Sequence, residues 1–506
     1  MTARNHLFDL FAAAVPDPAK PFIVIPGGET ISYGSLYALS GRIANVLAAR
    51  GLKPGDRVAV QTEKSWVTLA LYLATLQAGG VYLPLNTGYT EAEVSYFLGD
   101  ARPRVFVCDH ARKGSADAIA ARFDVAHVET LDARGAGSLA DAAREAPENF
   151  AAVTRGPDDL ASILYTSGTT GRSKGAMLSH GNLASNARTL VDYWRFTRDD
   201  VLLHALPVFH IHGLFVATNV SLLAGATMIF MSRFDLDQIM RELPNASVMM
   251  GVPTFYNRMI TRPDLTPELC RNMRLFISGS APLSAEVHKE FAARAGHAIL
   301  ERYGMTETGM NTSNPYDGDR RAGTVGFPLP GVDLRITDPA DGTTLTTGEV
   351  GMIEVRGPNV FSGYWQMPDK TATEFRNGYF ITGDMGVIDA DGYVSIVGRE
   401  KDLIISGGLN VYPAEVEGCI DEIPGVAECA VIGVPHPDFG EGVVAVVACK
   451  SGASLKDLDV MRPLGERLAR FKQPKKVVFV EALPRNTMGK IEKARLRETC
   501  KDLFAS

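Results

Sequence analysis

The sequence predicts an α/β protein with a large N-terminal body of layered α/β subdomains, a β-rich subdomain, and a small α+β domain at the C-terminus. Short β-rich runs alternate with helical runs in the first part of the chain, which is typical of layered, largely parallel sheets. From about residue 322 the pattern changes to short strands and turns, and after residue 399 it changes again. The 506 residues are enough for several domains with cores of their own.

Hydrophobic periodicity places the elements in order. The predicted strands of the first part are 57–61, 81–85, 104–108, 162–165, 201–206, 227–231, 248–252 and 274–278. The predicted helices between them include 36–50, 66–77 and 285–295. The C-terminal pattern predicts helix 415–422, strand 427–434, strand 443–449, helix 462–470 and strand 476–480. We therefore expect an N-terminal domain over 1–398 and a C-terminal domain over 399–506, joined by a tight hinge.

Composition excludes several function classes. The net charge is −7 with no long block of one sign, which disfavours a nucleic-acid coat or a polybasic membrane binder. Six widely spaced cysteines without a CxxC pair argue against a zinc site or a disulfide framework and for a reducing compartment. The apolar runs 7–15 and 67–85 are too interrupted for a signal peptide or a membrane span. A cytoplasmic protein without nucleic-acid or membrane partners is expected.

The segment YTSGTTGRSKG, from Tyr165 to Gly175, concentrates hydroxyl residues and glycines around Lys174. Glycines let the main chain approach a polyanion, and backbone N–H and hydroxyl groups then donate to phosphate oxygens. The segment does not match the Walker A pattern. Its many donors after an apolar strand predict a phosphate-binding loop and disfavour a plain solvated turn.

Two local patterns resemble other functions. GRSKG satisfies GxSxG, the nucleophile elbow of α/β hydrolases, but Ser173 lies well past the strand end in a longer loop. GEGVVA from Gly440 resembles a dinucleotide fingerprint but precedes a strand and does not open a helix. We reject the dinucleotide interpretation and disfavour a nucleophilic Ser173, so a serine hydrolase using Ser173 stays the alternative from another reaction class.

Three histidines, at 204, 210 and 212, stand close together in the chain. A metal site would need further ligands, but no carboxylate or cysteine stands at ligand spacing nearby. We therefore expect these side chains in a pocket wall or in the core.

Further clusters have compositions suited to a nucleotide site. Glu307 lies between two threonines in YGMTET and suits a hard cation beside phosphates. Asp384 in ITGD and Arg399 in GR, near the expected hinge, suit ribose hydroxyls. Lys490 follows a glycine in PRNTMGK. Each motif alone is commonly a surface turn, but their joint occurrence favours one site.

In this order, YTSGTTGRSKG, YGMTET, the ITGD…GR pair and PRNTMGK resemble the acyl-adenylate-forming superfamily of acyl-CoA synthetases, adenylation domains and firefly luciferase. The resemblance covers essentially the whole chain. Longer stretches such as HALPVFHIHGLFVATNV, MGVPTFYNR and LERYGMTET are similar to malonyl-CoA synthetases. The resemblance implies the superfamily's fold and a two-step reaction. Malonate attacks the α-phosphate of Mg²⁺-bound ATP, which releases pyrophosphate, and the thiol of coenzyme A then displaces AMP.

The resemblance also assigns roles to residues. The implied ATP-binding positions are Thr166, Ser167, Gly168, Thr169, Thr170, Gly171, Lys174, Ser280, Ala281, Glu301, Arg302, Tyr303, Asp384 and Arg399. The implied catalytic positions are Lys490, Thr306, Glu307 and His210. Among these, Thr306 would contact the α-phosphate, Glu307 would bind magnesium, and Lys490 would bridge the substrate carboxylate and ATP.

A mobile C-terminal domain is implied as well, because one lysine cannot serve adenylation and also leave room for pantetheine. The hinge would be Lys401, and rotation would bring Ser406, Gly407 and Gly408 to the coenzyme A tunnel. In this superfamily the residue matching Lys490 is a target of acetylation, so a protein lysine acetyltransferase and a deacetylase are expected partners.

Substrate choice requires its own argument. The second carboxylate of malonate needs a cation, since burying it unpaired would cost several kcal/mol. We expect this cation to be Arg258 in VPTFYNR, because a guanidinium fits a carboxylate bidentately. The other expected substrate-binding residues are Ser278, His210, Gly304 and Met305. The residues Ile211 and Gly309 depart from the commoner family pattern, which leaves a methylmalonate preference open.

Other interpretations share part of this evidence. A ligase for another short or substituted acid would carry the same motifs. A stand-alone adenylation enzyme or a luciferase-like oxygenase would share the first half-reaction. A non-catalytic nucleotide-binding protein is disfavoured because Lys490, Glu307 and Asp384 are all present.

Overall fold

The structure is a computed structural model that describes residues 4–15, 17–166, 173–407, 409–486 and 489–504. The described chain forms four β-sheets, which are covered by helices. The strands are β1 (Pro21–Val24), β2 (Thr30–Ser32), β3 (Arg57–Gln61), β4 (Val81–Pro84), β5 (Val105–Cys108), β6 (His127–Thr130), β7 (Leu160–Thr166), β8 (Lys174–Ser179), β9 (Val201–His204), β10 (Thr227–Phe230), β11 (Val248–Gly251), β12 (Leu275–Ser278), β13 (Leu300–Met305), β14 (Gly309–Ser313), β15 (Phe327–Pro328), β16 (Asp333–Thr337), β17 (Gly351–Arg356), β18 (Phe375–Arg376), β19 (Tyr379–Ile388), β20 (Val394–Arg399), β21 (Ile404–Ser406), β22 (Leu409–Val411), β23 (Val426–His436), β24 (Gly440–Cys449) and β25 (Lys476–Val480).

The helices lie between these strands, many of them begun by a serine, threonine or aspartate cap. They are α1 (His6–Ala13), α2 (Tyr33–Ala49), α3 (Trp66–Gln77), α4 (Glu91–Ala101), α5 (Lys113–Arg122), α6 (Ser138–Glu145), α7 (His180–Tyr193), α8 (Asn219–Ala224), α9 (Leu236–Glu242), α10 (Pro253–Met259), α11 (Ala285–Ala295), α12 (Pro368–Thr373), α13 (Pro413–Asp421), α14 (Asp457–Arg467) and α15 (Lys493–Cys500). A π-helical segment, His212–Thr218, leads directly into α8.

Two large sheets form the N-terminal body. The nine-stranded sheet has the order β15-β14-β13-β12-β11-β9-β10-β1-β2, with parallel pairing from β1 to β13. The six-stranded sheet has the order β6-β5-β3-β4-β7-β8 and is parallel except for the β7–β8 hairpin. Helix α3 is buried almost all round between other elements, which explains its nearly continuous apolar sequence.

Two smaller sheets follow along the chain. The first, β16-β17-β19-β18 with β20 paired to β19, is antiparallel. The second, β22-β21-β24-β23 with β25 parallel to β24, has its own apolar core under α13 and α14. A short 3-10 turn, Glu400–Asp402, links the two sheets.

The predicted fold class is confirmed, and so is strand–helix alternation in the N-terminal body. The helix expected over 462–470 is wrong in its bounds, because α14 begins at Asp457 and continues through Pro463. Asp459 accepts from the Lys456 backbone and thereby caps the helix five residues before its expected start. The domain boundary near Lys401 stays a prediction.

Within the ranges that the structure describes, no helix combines the length and the apolar character needed to cross a bilayer.

Candidate active site

The predicted phosphate loop connects the two strands of a hairpin. Thr166 ends β7 and pairs with Lys174, which begins β8. The predicted positions Ser167, Gly168, Thr169, Thr170 and Gly171 lie outside the described residues. Because β8 follows Ser173 directly, the segment lacks the strand-to-helix turn that a nucleophile elbow requires.

Glu307 lies beside the ends of this hairpin, in the turn between β13 and β14. Its carboxylate accepts from the Tyr364 hydroxyl at 3.0 Å and from Thr166 Oγ1 at 3.4 Å. Burial raises the pKa of Glu307, and these contacts and the charge of Lys174 oppose that rise. Lys174 lies 4.2 Å from the centre of the Tyr364 ring. The aromatic ring therefore joins the lysine of the loop to the acidic group.

A second cluster of contacting side chains joins β13 to the β19–β20 pair. Asp384 and Arg399 are cross-strand partners, and their side chains form an ion pair at 2.8 Å. The Tyr303 hydroxyl donates to the other Asp384 oxygen at 2.6 Å. The charge of Asp384 raises the pKa of Arg399, which keeps the guanidinium protonated. The three side chains that were expected around adenine and ribose thus contact one another directly.

Lys490 approaches this group from the C-terminal domain. Its backbone N–H donates to Asn486 Oδ1 at 3.0 Å, which holds the turn after β25. The residue is exposed, and the charges of Arg399 on β20 and Asp384 on β19 act on its ammonium. Partial desolvation lowers the pKa of Lys490; Arg399 and Arg302 add to this effect, and Asp384 and Glu307 oppose it. The structure therefore brings Lys490 together with three of the residues expected at the ATP site.

The carboxyl ends of parallel strands meet at one edge of the nine-stranded sheet. Gly251 at the end of β11 and Ser278 at the end of β12 are register partners, and Ser278 also pairs with Glu301 on β13. In open α/β sheets ligands bind at such an edge. A ligand site is therefore expected at this edge of the sheet.

Arg302 is the most unusual side chain at this edge. It is 3% exposed, and within the described part of the chain its Nε and Nη2 atoms have no hydrogen-bond partner. Burial lowers its pKa to about 9, so it is still a cation at neutral pH. A Cβ atom on Gly279 would lie 2.5 Å from the guanidinium carbon, so only glycine lets this group occupy its position.

Two further polar groups nearby are also unsatisfied among the described residues. Ser278 Oγ and His212 Nε2 are buried without a hydrogen-bond partner, while His212 Nδ1 lies 3.2 Å from Ser280 Oγ. Burial, followed by the charge of Arg302, lowers the pKa of His212 and keeps it neutral. Donors that are buried but unpaired indicate a site for a ligand with acceptor oxygens.

Strand alternation separates residues that the sequence grouped together. Neighbouring residues on β13 point to opposite faces, so Arg302 cannot share a ligand face with Glu301 and Tyr303. Glu301 accepts from the Leu283 backbone at 3.3 Å, and burial raises its pKa to about 8. Arg302 was expected at ATP, but the structure places it against Gly279 and the histidine wall.

His210 belongs to that wall. Burial, with the charges of Lys490 and Arg302, lowers its pKa to about 3. Its Nδ1 atom accepts from the His212 backbone at 3.3 Å. Ser280 and Ala281 follow β12 in a loop that keeps partial exposure, with Ser280 in the left-handed region at φ 72°. A neutral His210 beside Lys490 can line the path of the acyl group without adding charge.

Arg258 lies on the solvent-facing side of α10, and its expected role at the acid stays a prediction. It is an exposed residue on α10 whose guanidinium lies over the Phe234 ring at 5.6 Å. The sequence placed it on the right helix, but a helix of seven residues presents both a buried and a solvent-facing side. Its neighbours Tyr256 and Met259 take the buried side. The cation that faces the sheet edge is Arg302 instead.

The remaining predicted acyl-pocket residues lie around the β13–β14 hairpin. Gly304 faces the Gly309 carbonyl so closely that a Cβ would collide with it, and Met305 ends β13. Thr306 opens the turn and is partly exposed. Gly309 and Ile211 line a small cavity beside Asn186, and this cavity includes neither Arg302 nor Lys490. A Cβ on Gly309 would lie 2.7 Å from Asn186 Oδ1, which explains the glycine there.

The residues expected at coenzyme A lie on the C-terminal domain. Ser406 is buried at the end of β21, and Gly407 has φ 61° in the turn that follows; Gly408 lies outside the described residues. Lys401 lies in the 3-10 turn between β20 and β21, where burial lowers its pKa. On either side of Gly407, Ile405 on β21 and Leu409 on β22 are exposed.

Sequence reasoning missed Tyr364 and Glu374. Tyr364 joins Glu307 to Lys174, and Glu374 Oε1 lies 3.4 Å from the Lys174 ammonium. Both residues stand far along the chain from the loop they support and belong to no recognisable motif. Their contacts with the site form only in the folded chain, where β8 packs against the segment that follows β17.

Magnesium needs oxygen ligands from protein and substrate. The described residues contain no group of three or more His, Cys, Asp or Glu side chains placed to hold a metal. Magnesium usually takes only one or two carboxylates and completes its coordination with phosphate oxygens and water. Glu307, with the Thr166 hydroxyl beside it, fits that mode.

Comparisons with known proteins identify the family of the chain. Residues 10–365 match the family model of AMP-binding enzymes, and residues 415–490 match the model of the AMP-binding enzyme C-terminal domain. The chain is similar to the ATP-bound crystal structure of MatB from Rhodopseudomonas palustris, with 61% identity and a TM-score of 0.97 over 99% of this chain and 100% of that one. The apo structure of MatB gives 60% identity over the same shares and a lower TM-score of 0.87.

Curated relatives are more distant in sequence and differ in substrate. A feruloyl-CoA synthase of Amycolatopsis is 37% identical, covering 93% of this chain and 94% of the relative. A malonate–CoA ligase of Arabidopsis thaliana is 32% identical, covering 98% and 90%.

Proposed function

The chain belongs to the family of AMP-binding enzymes and is an AMP-forming acid–thiol ligase, and on that premise we propose that the acid it activates is malonate. Its co-substrates are ATP and coenzyme A. The products are malonyl-CoA, AMP and pyrophosphate. The similarity to MatB and to a malonate–CoA ligase supports this choice, while the feruloyl-CoA synthase shows that the family also serves other acids.

The observation that carries the choice is the unpaired guanidinium of Arg302. A buried cation without a counter-ion is costly, and an anionic ligand removes that cost. Nε and Nη2 are two parallel donors, the fork that a carboxylate accepts bidentately. Ser278 Oγ and His212 Nε2 complete a polar wall around it. A monocarboxylic acid with an apolar tail would leave all these groups unsatisfied.

The spacing of charges favours a short diacid. The charges of Lys490 and Arg302 both lower the pKa of His210, so the two cations lie on either side of a shared neighbour. One carboxylate would contact Arg302 while the other lies beside Lys490. Malonate carries two carboxylates on a single carbon and fits this short span, whereas a long chain does not.

In the first step a malonate oxygen attacks the α-phosphate and pyrophosphate leaves. Lys490 supplies positive charge between the attacking carboxylate and the phosphate, where negative charge develops. Thr306 and Lys174 would donate to phosphate oxygens, and the Asp384–Arg399 pair would hold the ribose. Neutral His210 excludes water from the acyl side without competing for the substrate carboxylate.

Magnesium would be held by Glu307 together with phosphate oxygens, and it would neutralise charge on the leaving pyrophosphate. Burial raises the pKa of Glu307, and the Tyr364 hydrogen bond opposes that rise and so favours the ionised carboxylate. In the second step the thiol of coenzyme A displaces AMP. For that step we propose that the C-terminal domain rotates about Lys401 and carries Ser406 and Gly407 to the site.

One assay tests the proposal. Pyrophosphate release and thioester formation are measured with ATP and coenzyme A across malonate, methylmalonate, acetate and an aromatic acid. We expect malonate to give the highest kcat/KM and acetate a value lower by at least about 100-fold, since acetate leaves Arg302 unpaired. Equal efficiency with acetate or with the aromatic acid would refute the malonate assignment. A higher value with methylmalonate would shift the assignment to that acid.

Acetylation of Lys490 and a cytoplasmic location stay predictions of the sequence. Acetylation would remove the charge that the first step requires, so an acetylated enzyme should lose pyrophosphate release.

A further inference from the structure

A fully buried lysine lies outside the groups that the reaction uses. Lys64 precedes α3 and is 9% exposed, with its ammonium inside the body. No carboxylate partner of this ammonium occurs among the described residues; its partners are His204 and the face of the Phe230 ring. A lysine so placed is costly unless every one of its donors is used.

Three donors of Lys64 have three acceptors. The ammonium lies 2.9 Å from His204 Nδ1, 2.9 Å from the His204 carbonyl oxygen, and 4.2 Å from the centre of the Phe230 ring. Two of these contacts go to one residue, so they fix both the main chain and the ring of His204. Lys64 thus holds the end of β9 in place.

The other edge of the His204 ring touches the π-helical segment. Nε2 lies 2.9 Å from the Gly213 carbonyl oxygen, which also accepts from Thr218 Oγ1 at 2.9 Å. A carbonyl can only accept, so Nε2 carries the proton and Nδ1 accepts from Lys64. Burial and the charge of Lys64 lower the pKa of His204, which keeps the ring neutral and this arrangement unique.

The residue before Gly213 is His212, which faces the acyl pocket. Gly213 packs closely against the Pro207 carbonyl, because a Cβ there would lie 2.0 Å from that oxygen. The π-helical turn is a rare backbone form that occurs often at functional sites and needs local support. The ring of His204 supplies that support at the segment's first turn.

We propose that Lys64 and His204 form a buried relay that positions His212, and with it the polar wall around Arg302, for recognition of the acid substrate. Both are positioning residues, since neither contacts the pocket groups directly. The inference rests on the proposed function only for the identity of the acid. The relay predicts that disturbing Lys64 harms acid recognition and leaves the nucleotide site unaffected.

The main test is Lys64→Met, which keeps the side-chain length and removes all three donors. Replacing a buried charge by an apolar side chain of similar volume is often neutral or stabilising, so this variant should fold. We expect kcat/KM for malonate to fall about 10- to 100-fold, as a displaced pocket wall causes. The KM for ATP should change less than about twofold.

A second readout does not depend on activity. In protein with ¹⁵N-labelled histidine, the signal of His204 Nδ1 is identified by its loss in His204→Asn and should shift in Lys64→Met as the donor disappears. An unchanged Nδ1 signal overturns the relay even if malonate is not the substrate. If malonate proves to be the wrong acid, the kinetic comparison is made with the preferred acid, and the relay stands or falls separately.

The sharpest test is whether the effects of the two substitutions on malonate kinetics are coupled. His204→Asn removes the donor to Gly213, so Lys64→Met should add less than about twofold to its malonate defect, because both break the same chain of contacts. Fully additive defects would contradict the relay. Tyr33→Phe is the matched control, since it removes a buried hydrogen bond of 2.7 Å to the Ala226 carbonyl that involves neither His204 nor Gly213. A control that raises the malonate KM as much as Lys64→Met would also contradict it.

Discussion

Replacing Arg302 by methionine tests the acyl pocket most directly. Methionine fills a similar volume but removes the buried cation that the structure describes at the sheet edge. The guanidinium is 3% exposed and has two free donors in the described part of the chain, so malonate would lose a bidentate, charge-assisted contact. Its distal carboxylate would be left buried without a counter-ion.

The size of the effect follows from that geometry. Breaking a buried ion pair by removing one partner costs about 3–5 kcal/mol, and each 1.4 kcal/mol is a factor of about ten. The kcat/KM for malonate should therefore fall by about 100- to 4,000-fold. The unliganded enzyme should keep or gain thermal stability, because an unpaired buried charge has been removed.

Thioester formation and pyrophosphate release measure this with malonate and acetate at saturating ATP. Acetate never contacts Arg302, so its kcat/KM should stay the same or rise. Arg258→Met is the matched control, because it removes the same charge from an exposed position on α10. Exposed charges contribute about 0–1 kcal/mol, so this control should change malonate kinetics by less than about fivefold.

Two results would refute the reasoning. The first is a malonate kcat/KM within threefold of the parent enzyme in Arg302→Met. The second is a large malonate defect in Arg258→Met with Arg302→Met unaffected, which would restore the expectation drawn from the sequence.

Four other changes have definite expected outcomes. Lys490→Gln should lower pyrophosphate release by about 100- to 1,000-fold while preformed malonyl-AMP still reacts with coenzyme A; loss of both half-reactions would contradict the role. Tyr364→Phe should raise the KM for Mg²⁺-bound ATP by about tenfold, because Glu307 loses a donor at 3.0 Å, and an unchanged KM would show that this bond does not matter. His180, whose pKa burial lowers to about 4, resists protonation in the folded state, so stability should fall as pH drops from 6.5 to about 4. His180→Gln should flatten that part of the unfolding curve, whereas a parallel curve would rule the effect out. Ser173→Ala should leave thioester formation unchanged, and a loss above tenfold would revive the hydrolase alternative.

Much of the fold could be predicted because it is written in local patterns. The strand 57–61 and the helices 66–77 and 285–295 match β3, α3 and α11 exactly, since each has a clear periodicity and a defined start. α14 was misplaced because its cap at Lys456 lies in a polar stretch without apolar periodicity. The phosphate loop and the hinge were assigned from residue types alone, and both assignments stay predictions.

The candidate site likewise has features that follow from local sequence patterns and features that depend on tertiary packing. The sequence by itself determined the chemistry: Glu307, Asp384, Arg399 and Lys490 stand in short motifs whose composition serves a nucleotide and a cation. Only the tertiary structure distinguished the two candidate arginines, because exposure on α10 and strand alternation on β13 depend on what each element packs against. Motifs describe neighbours along the chain, whereas the burial of Arg302, the counter-ion that we propose for malonate, is set by neighbours across the sheet.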